Sequence, residues 1–156
     1  MRGIQTPEYL YLYNPWSDGE RKFATATTST ATYRQMKKRA VSEPDVAARV
    51  KLFDHRVIHE LYDVRTDPDC LVNLADSAEH ADVLTKLQAK LADELDRIED
   101  PVAPLLHSPT NDELRVAYMT LQDKRSADAK RKRAAERAAQ RARAAGKVKR
   151  QKQLAK

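Results

Sequence analysis

The sequence predicts an α+β fold, in which a small antiparallel sheet is flanked by a long amphipathic helix. Two short segments have strand character: Tyr9–Tyr13 alternates Tyr with Leu, the two-residue period of a β-strand, and His59–Val64 ends at an Asp-Pro turn. Between Glu79 and Ile98, large apolar residues recur every three or four positions, which is the period of a helix with one apolar face. Together these segments predict one small folded body.

Charge divides the chain into two parts. Residues 121–156 hold 14 of the 29 basic and 3 of the 23 acidic residues, a net charge of +11, whereas the first 120 residues carry a net charge of −5. The 156 residues suffice for one domain with a modest core and a tail. We expect a folded subdomain over 1–101, a connection with a short helix over 102–123, and a basic tail over 124–156, disordered or a solvated helix.

The N-terminal strand predicts a hairpin. Along Tyr9–Tyr13 the tyrosines face one way and the leucines the other, so both faces are apolar enough to require cover. We expect the tyrosine face to need a partner that this chain does not supply, which would make the isolated chain unstable. Asn14–Gly19 contains Pro, Asp and Gly and predicts a turn, and Phe23–Thr28 is then predicted as a strand that pairs back on the first.

Two short helices are predicted between this hairpin and the strand His59–Val64. Tyr33–Ala40 has helical composition. Pro44 separates it from a second helix over Asp45–Phe53, in which apolar residues recur at every third position.

The long helix is predicted over Glu79–Ile98. Asp76 is expected to cap it, with Glu79 at the third position of a capping box. The helix should end before Asp100-Pro101, because a residue that precedes proline avoids the helical conformation. Its apolar stripe consists of Val83, Leu84, Leu87, Leu91, Leu95 and Ile98.

The segment beyond this helix changes in composition. Residues 101–112 contain three prolines and predict an irregular connection, and Asp112–Gln122 predicts one more short helix. From 124 to 156 the chain is nearly all Ala, Arg, Lys and Gln, with helix propensity but without an apolar stripe. We therefore expect a solvated, partly helical extension.

One segment carries a resemblance to a known family. Residues 60–75 have the sequence ELYDVRTDPDCLVNLA, which resembles the C-terminal signature of the sulfatase family, ELYDLxxDPxExxNLA. The segment Met1–Thr6 with Tyr9 and Tyr11 resembles the family strand MRAIRTxxYKYI, and Asn14–Trp16 continues that match. The resemblance covers about residues 1–101, includes the long helix and its Asp-Pro end, and is greatest to the heparan N-sulfatase branch.

The resemblance implies a non-catalytic role for this segment. In sulfatases the C-terminal subdomain is a small antiparallel sheet of about four strands with a flanking helix, docked on a large α/β domain. The large domain carries a CxPSR motif, whose Cys or Ser becomes the formylglycine nucleophile, and a calcium ion held by Asp and Asn. Here Cys70 is followed by Leu71-Val72-Asn73, and no N-terminal Asp cluster occurs. The resemblance thus assigns formylglycine and calcium to the missing domain.

Several expectations follow from this comparison. The chain should hold no catalytic residue and no metal ligand, and it should not hydrolyse sulfate esters alone; its partner would be a sulfatase catalytic domain. Substrate-binding residues stay unassigned, although Arg2 and Asn14 lie on the strand that would face that domain. Met1 aligns with an internal family methionine, which predicts a truncated gene model, a frameshifted copy or a separated C-terminal fragment.

Other candidate sites have simpler explanations. His55 and His59 are four residues apart and suggest a metal pair, but a third ligand for zinc is missing nearby in the sequence. Asp63, Asp67 and Asp69 suggest a calcium loop, yet the EF-hand order is absent, and turn formation and capping explain them better. The single cysteine, Cys70, is expected to be a loop spacer, and His80 and His107 to be surface residues.

The alternative function is non-enzymatic. The basic tail could bind nucleic acid or another acidic polymer in a salt-dependent way, and it could equally bind an anionic membrane surface or a sulfated glycan. No aromatic residue follows Tyr118 and no recognition module is present, so such binding should be weak and unspecific. The chain shows neither a signal peptide nor an apolar run near the ~18 residues of a membrane span, although full-length sulfatases are usually exported or lysosomal.

Overall fold

The fold is α+β, as predicted. The structure, a computed structural model, describes residues 1–23 and 25–154, with side chains described up to residue 141. It divides into two compact units, residues 1–111 and 112–156. The first contains a three-stranded antiparallel sheet and several helices, and the second is formed by one helix.

The sheet has the strand order β1-β2-β3, with β1 at Arg2–Gln5, β2 at Tyr9–Tyr13 and β3 at His59–Asp63. Both pairings are antiparallel, and Tyr11 lies opposite both Ile4 and Leu61. A tight turn joins β1 to β2, in which the Thr6 backbone N–H donates to the Tyr9 carbonyl at 2.8 Å. The hairpin therefore forms with the segment before Tyr9–Tyr13.

The predicted strand Phe23–Thr28 is wrong. Residue 24 lies outside the described part of the chain, and Ala26–Ser29 forms a 3-10 helix. The Thr25 hydroxyl accepts from the Thr27 backbone N–H at 3.2 Å, which begins this turn. Short hydroxyl side chains bond nearby backbone groups in this way and so compete with strand pairing.

The tyrosine face of the sheet is covered within the chain, which corrects the expectation of a missing partner for it. Helix α3, Ala81–Arg97, packs on β1 and β2, and Tyr11 and Tyr13 are fully buried. Gln88 of α3 reaches this face, where its Nε2 lies 3.4 Å from Nδ1 of His59. Cover from α3 removes the reason for predicting an unstable isolated chain.

The opposite face of the sheet is partly open. Leu10 and Leu12 are half-buried, and their β1 neighbours Gly3 and Gln5 are exposed. Gly3 allows the close pairing here, since a Cβ at this position would lie 2.7 Å from Leu12 Cδ2. The leucine face, not the tyrosine face, is the less covered of the two.

The remaining helices of this unit are α1, Ala31–Arg39, α2, Pro44–Asp54, and the short α4, Ala103–Leu106. The first two confirm the predicted pair. Helix α4 corrects the irregular connection expected over 101–112, because Val102, Ala103, Leu105 and Leu106 are buried and α4 packs on α3. Apolar residues on both sides of Pro104 override its turn character.

The capping box predicted for the long helix does not form. A 3-10 turn at Ala78–His80 leads into α3, and neither flanking residue, Ser77 or His80, makes a side-chain cap bond. Instead the Ser77 hydroxyl lies 3.0 Å from His80 Nδ1. At the other end, the Asp100 backbone N–H donates to the Leu95 carbonyl at 2.8 Å, so the helix ends before Pro101 as predicted.

The second unit is helix α5, Asp112–Leu154, a continuous helix of 43 residues. It joins the predicted short helix and most of the predicted tail into one element, whereas residues 155–156 lie outside the described part. At 1.5 Å per residue, its length is about 65 Å. All side chains from 123 to 141 are exposed.

Candidate functional site

The most buried charged group among the described residues of the first unit is the Glu60 carboxylate, which is 1% exposed. It accepts from Asn14 Nδ2 at 2.8 Å, from the Tyr62 hydroxyl at 2.9 Å and from the Arg56 guanidinium. Ser17 joins the group by donating to the Arg56 carbonyl. We call these five residues the Glu60 cluster; it ties β3 to the segment after β2.

The electrostatics of the Glu60 cluster are those of an internal ion pair. Burial, reinforced by the neighbouring Glu60 carboxylate, raises the pKa of the Tyr62 phenol, so this hydroxyl stays protonated and donates. Within the described side chains, two buried polar atoms of the cluster, Asn14 Oδ1 and Arg56 Nε, make no hydrogen bond. The Glu60 cluster therefore contains one buried acceptor, Asn14 Oδ1, and one buried donor, Arg56 Nε, that are not used in hydrogen bonds.

Asn73 closes the outer edge of β3. Its Oδ1 accepts from the Leu61 backbone N–H at 2.8 Å, and its Nδ2 donates to the His59 carbonyl at 3.1 Å. The neighbouring Leu74 backbone N–H donates to the Leu61 carbonyl at 2.8 Å. Asn73 thus replaces a fourth strand along this edge, which shields polar backbone groups that would otherwise attract another strand.

Asp63, the last residue of β3, and Asp67 in the loop that follows accept hydrogen bonds that fix the turn after this strand. Arg65, whose guanidinium and backbone N–H both donate to Asp63, lowers the pKa of that carboxyl to about 2. Asp67 Oδ2 accepts from the backbone N–H groups of Leu71 and Val72 at 2.7 and 2.8 Å. Both carboxylates are engaged in turn formation, as predicted.

Asp69 and Cys70 occupy the same loop. Asp69 lies 3.5 Å from Arg49, and both side chains are largely exposed. Cys70 has φ 53°, in the left-handed region, and burial together with Asp67 raises the pKa of its thiol. A thiol held in its neutral form is a poor nucleophile. Within the described residues, no cluster of three metal-ligating side chains occurs.

The two N-terminal candidates, Arg2 and Asn14, make internal contacts. Arg2 Nε donates to Asp100 Oδ2 at 2.7 Å, which fastens β1 to the end of α3. Asn14 is fully buried, and its Nδ2 also donates to the Val57 carbonyl at 2.9 Å. Both candidate substrate-contact residues therefore make hydrogen bonds within the fold.

The four histidines lie in different local environments. His59 Nδ1 is 2.9 Å from the Tyr11 hydroxyl, and its ring stacks on Tyr13 with centroids 5.2 Å apart. His80 meets the edge of the Tyr9 ring, and His107 Nε2 is 2.6 Å from an Asp96 oxygen. His55 lies at the C-terminal end of α2.

Asp54 forms a second polar cluster that sequence reasoning missed. This carboxylate is almost fully buried, and it accepts from the Tyr33 hydroxyl at 2.5 Å and from Lys37 Nζ at 3.2 Å, with Lys22 Nζ at 3.8 Å. Burial raises the pKa of Asp54, but the hydrogen bonds from Tyr33 and Lys37 outweigh burial, and the net pKa lies below its ordinary value. The cluster joins α1 to α2.

An open groove of about 980 Å³ lies between α1, α2 and the loop after β3. Its apolar lining includes Met36, Leu52 and Leu71. Arg39, Arg49 and Asp45 also line it, and the two arginines pair with the exposed carboxylates of Glu43 and Asp69. Such exposed pairs are weak and can exchange partners, so the groove offers an apolar floor bordered by charged side chains that can pair anew.

No protein-family model matches the chain, and no curated protein is significantly similar to it. Among the described residues, none of the helices has the length and apolar character to cross a membrane.

Proposed function

We propose that this chain is the C-terminal subdomain of a sulfatase, a hydrolase of sulfuric esters or sulfamates, and that it is inactive alone. The observation that carries this proposal is that the residues of the sulfatase-like segment build the fold. Glu60 anchors the buried cluster, Asp63 and Asp67 shape the loop, and Asn73 closes the edge of β3. These structural roles fit a supporting subdomain of an enzyme whose catalytic residues lie in another domain.

The partner implied by this proposal is a catalytic domain with a CxPSR motif, which supplies formylglycine and calcium. The groove between α1 and α2 is the surface we assign to it. The groove combines the apolar side chains of its lining with Arg39 and Arg49, which can exchange their exposed partners for carboxylates of another domain. Covering an open apolar groove also gains the hydrophobic free energy that the isolated chain leaves unused.

The experiment is purification of the polypeptide that carries this sequence from the cells that express it. We expect either a longer chain or a tightly bound second chain with CxPSR, its formylglycine detected by mass spectrometry, and hydrolysis of a fluorogenic sulfate ester. A 17.7 kDa chain that purifies alone, without sulfatase activity in any associated fraction, would overturn the proposal.

A matched pair of variants tests the groove. Met36→Glu places a charge in the groove lining, whereas Val41→Glu places the same charge at a side chain that is 89% exposed and does not line the groove. We expect Met36→Glu to release the chain from the catalytic domain, or to lower the activity of a fused enzyme, and Val41→Glu to leave both unchanged. Equal behaviour of the two variants would exclude this groove as the docking surface.

A further inference from the structure

Helix α5 places a large positive charge on an exposed rod. Between Lys124 and Arg141 the sequence has eight cationic residues and only two acidic ones, Asp128 and Glu136. All side chains in this range are exposed, and Asp128 lies 3.9 Å from Arg131. Two carboxylates cannot neutralise eight cations, so a strong positive potential surrounds this part of the helix.

The cations point in every direction around the helix axis. Successive residues of an α-helix are rotated by about 100°, so the four consecutive cations Lys130–Arg133 alone span the whole circumference. A flat anionic surface would contact only the cations on one side of such a helix. A ligand with negative charge on several sides of the helix can contact most of the cations.

The composition of residues 122–141, which carry the cations, disfavours a membrane surface as the ligand of this stretch. A helix that lies in a membrane interface needs an apolar face of large side chains. From 122 to 141 the only apolar residues are alanines. Alanine is also the smallest side chain that preserves helix propensity, so this stretch is slim as well as helical.

We propose that α5 binds duplex DNA without sequence preference, lying in the major groove. A helix with side chains is about 10–12 Å wide, and the major groove of B-form DNA is about 12 Å wide and has phosphates along both walls. The groove of duplex RNA is too narrow to admit a helix. This binding is independent of the sulfatase proposal, because it depends on the cations from Lys124 to Arg141 alone.

The strength and the salt dependence of binding follow from the charge. The range from Lys124 to Arg141 has a net charge of +6. If about six phosphates are neutralised, the slope of log K against log salt is about −5, and affinity falls about a thousandfold between 50 and 200 mM salt. The dissociation constant at physiological salt should lie at about 10⁻⁶–10⁻⁴ M.

The test uses the full chain and a fluorescently labelled, random-sequence 20-base-pair duplex, with anisotropy measured from 50 to 200 mM salt. The variant changes all four residues of Lys130–Arg133 to Gln, which keeps helix propensity and removes four charges. We expect its salt slope to fall by about 3.6 and its affinity at 50 mM salt to fall at least tenfold. Circular dichroism at 222 nm checks that the helix is retained.

The control removes the same charge from the first unit. The control variant changes four exposed lysines to Gln: Lys38, Lys51, Lys86 and Lys90. We expect its affinity for DNA and its salt slope to match those of the unchanged protein. Equal loss of affinity in the variant and this control would overturn the proposal. So would tighter binding to phosphatidylserine vesicles or to a sulfated polysaccharide, or equal affinity for single-stranded and duplex DNA.

Discussion

The Glu60 cluster makes a quantitative prediction for Glu60→Gln. This substitution preserves the size of the side chain but replaces a buried carboxylate, 1% exposed, with a neutral amide. The amide nitrogen replaces either Oε1, which accepts from Asn14, or Oε2, which accepts from Arg56 and Tyr62, so at least one of these donors loses its acceptor. The Arg56 guanidinium, whose side chain is 16% exposed, also keeps its charge without a counter-ion.

The expected loss of stability is large. Removing one partner of a buried ion pair costs about 3–5 kcal/mol, and the partial exposure of Arg56 moves the expectation to the lower end, about 3 kcal/mol. For a unit of this size, about 4 °C of melting temperature is lost per kcal/mol, so we expect a decrease of about 12 °C.

Urea unfolding followed by Trp16 fluorescence measures this loss. Trp16 is the only tryptophan, precedes Ser17 of the cluster and stacks on Phe23 with ring centroids 5.2 Å apart, so its signal reports on the first unit alone. Glu94→Gln is the control, because the exposed pair of Glu94 with Arg97 contributes at most about 1 kcal/mol. A loss below about 1 kcal/mol for Glu60→Gln would refute the assignment of this carboxylate as a buried anchor.

Three further predictions concern other parts of the first unit. Asn73→Ala should cost about 2–4 kcal/mol and speed hydrogen exchange of the Leu61 amide, because two edge backbone groups lose their partner; unchanged exchange would contradict the edge closure. Gly3→Ala should lower the melting temperature, since the added Cβ would lie 2.7 Å from Leu12 Cδ2 and also 3.0 Å from the Tyr11 carbonyl oxygen, which strand pairing holds in place; an equal melting temperature would show that the sheet yields there. The lowered pKa of Asp54 stabilises the fold above the unfolded value near 3.8, and this contribution disappears as pH falls through the folded pKa. Asp54→Asn should therefore flatten acid unfolding below about pH 4, and an unchanged acid profile would contradict the role of this carboxylate.

Periodicity predicted the elements that bury a face along their whole length. The strand Tyr9–Tyr13 and the helix Ala81–Arg97 both have regular apolar spacing, and both occur close to the predicted bounds. Spacing shows which residues share a face but not which element covers it. Spacing therefore identified the tyrosine face correctly, but it did not show that α3 covers this face.

The misses have local physical causes. Strand β1, Arg2–Gln5, is four residues long and alternates without a clear apolar face, so its strand character comes from pairing with β2. At Phe23–Thr28, side-chain hydroxyls redirect the backbone into a 3-10 turn. Glu60 lies in a buried strand, and its acidic side chain is satisfied by Arg56 nearby and by Asn14, 46 residues away; spacing within one segment cannot show such a distant partner.

The sulfatase-like segment shows how a sequence motif can specify architecture without specifying chemistry. The outer edge of β3 presents a donor at Leu61 and an acceptor at His59, and a side-chain amide is suited to satisfy both at once. Aspartate at position 73 would offer acceptors only and would place a charge against a carbonyl oxygen. The edge of a strand therefore suffices to require Asn73, and no substrate or metal is needed to explain it. The fold accounts for the residues of the segment 60–75. Evidence for sulfate hydrolysis must therefore come from a domain with the CxPSR motif, and evidence for DNA binding must come from α5.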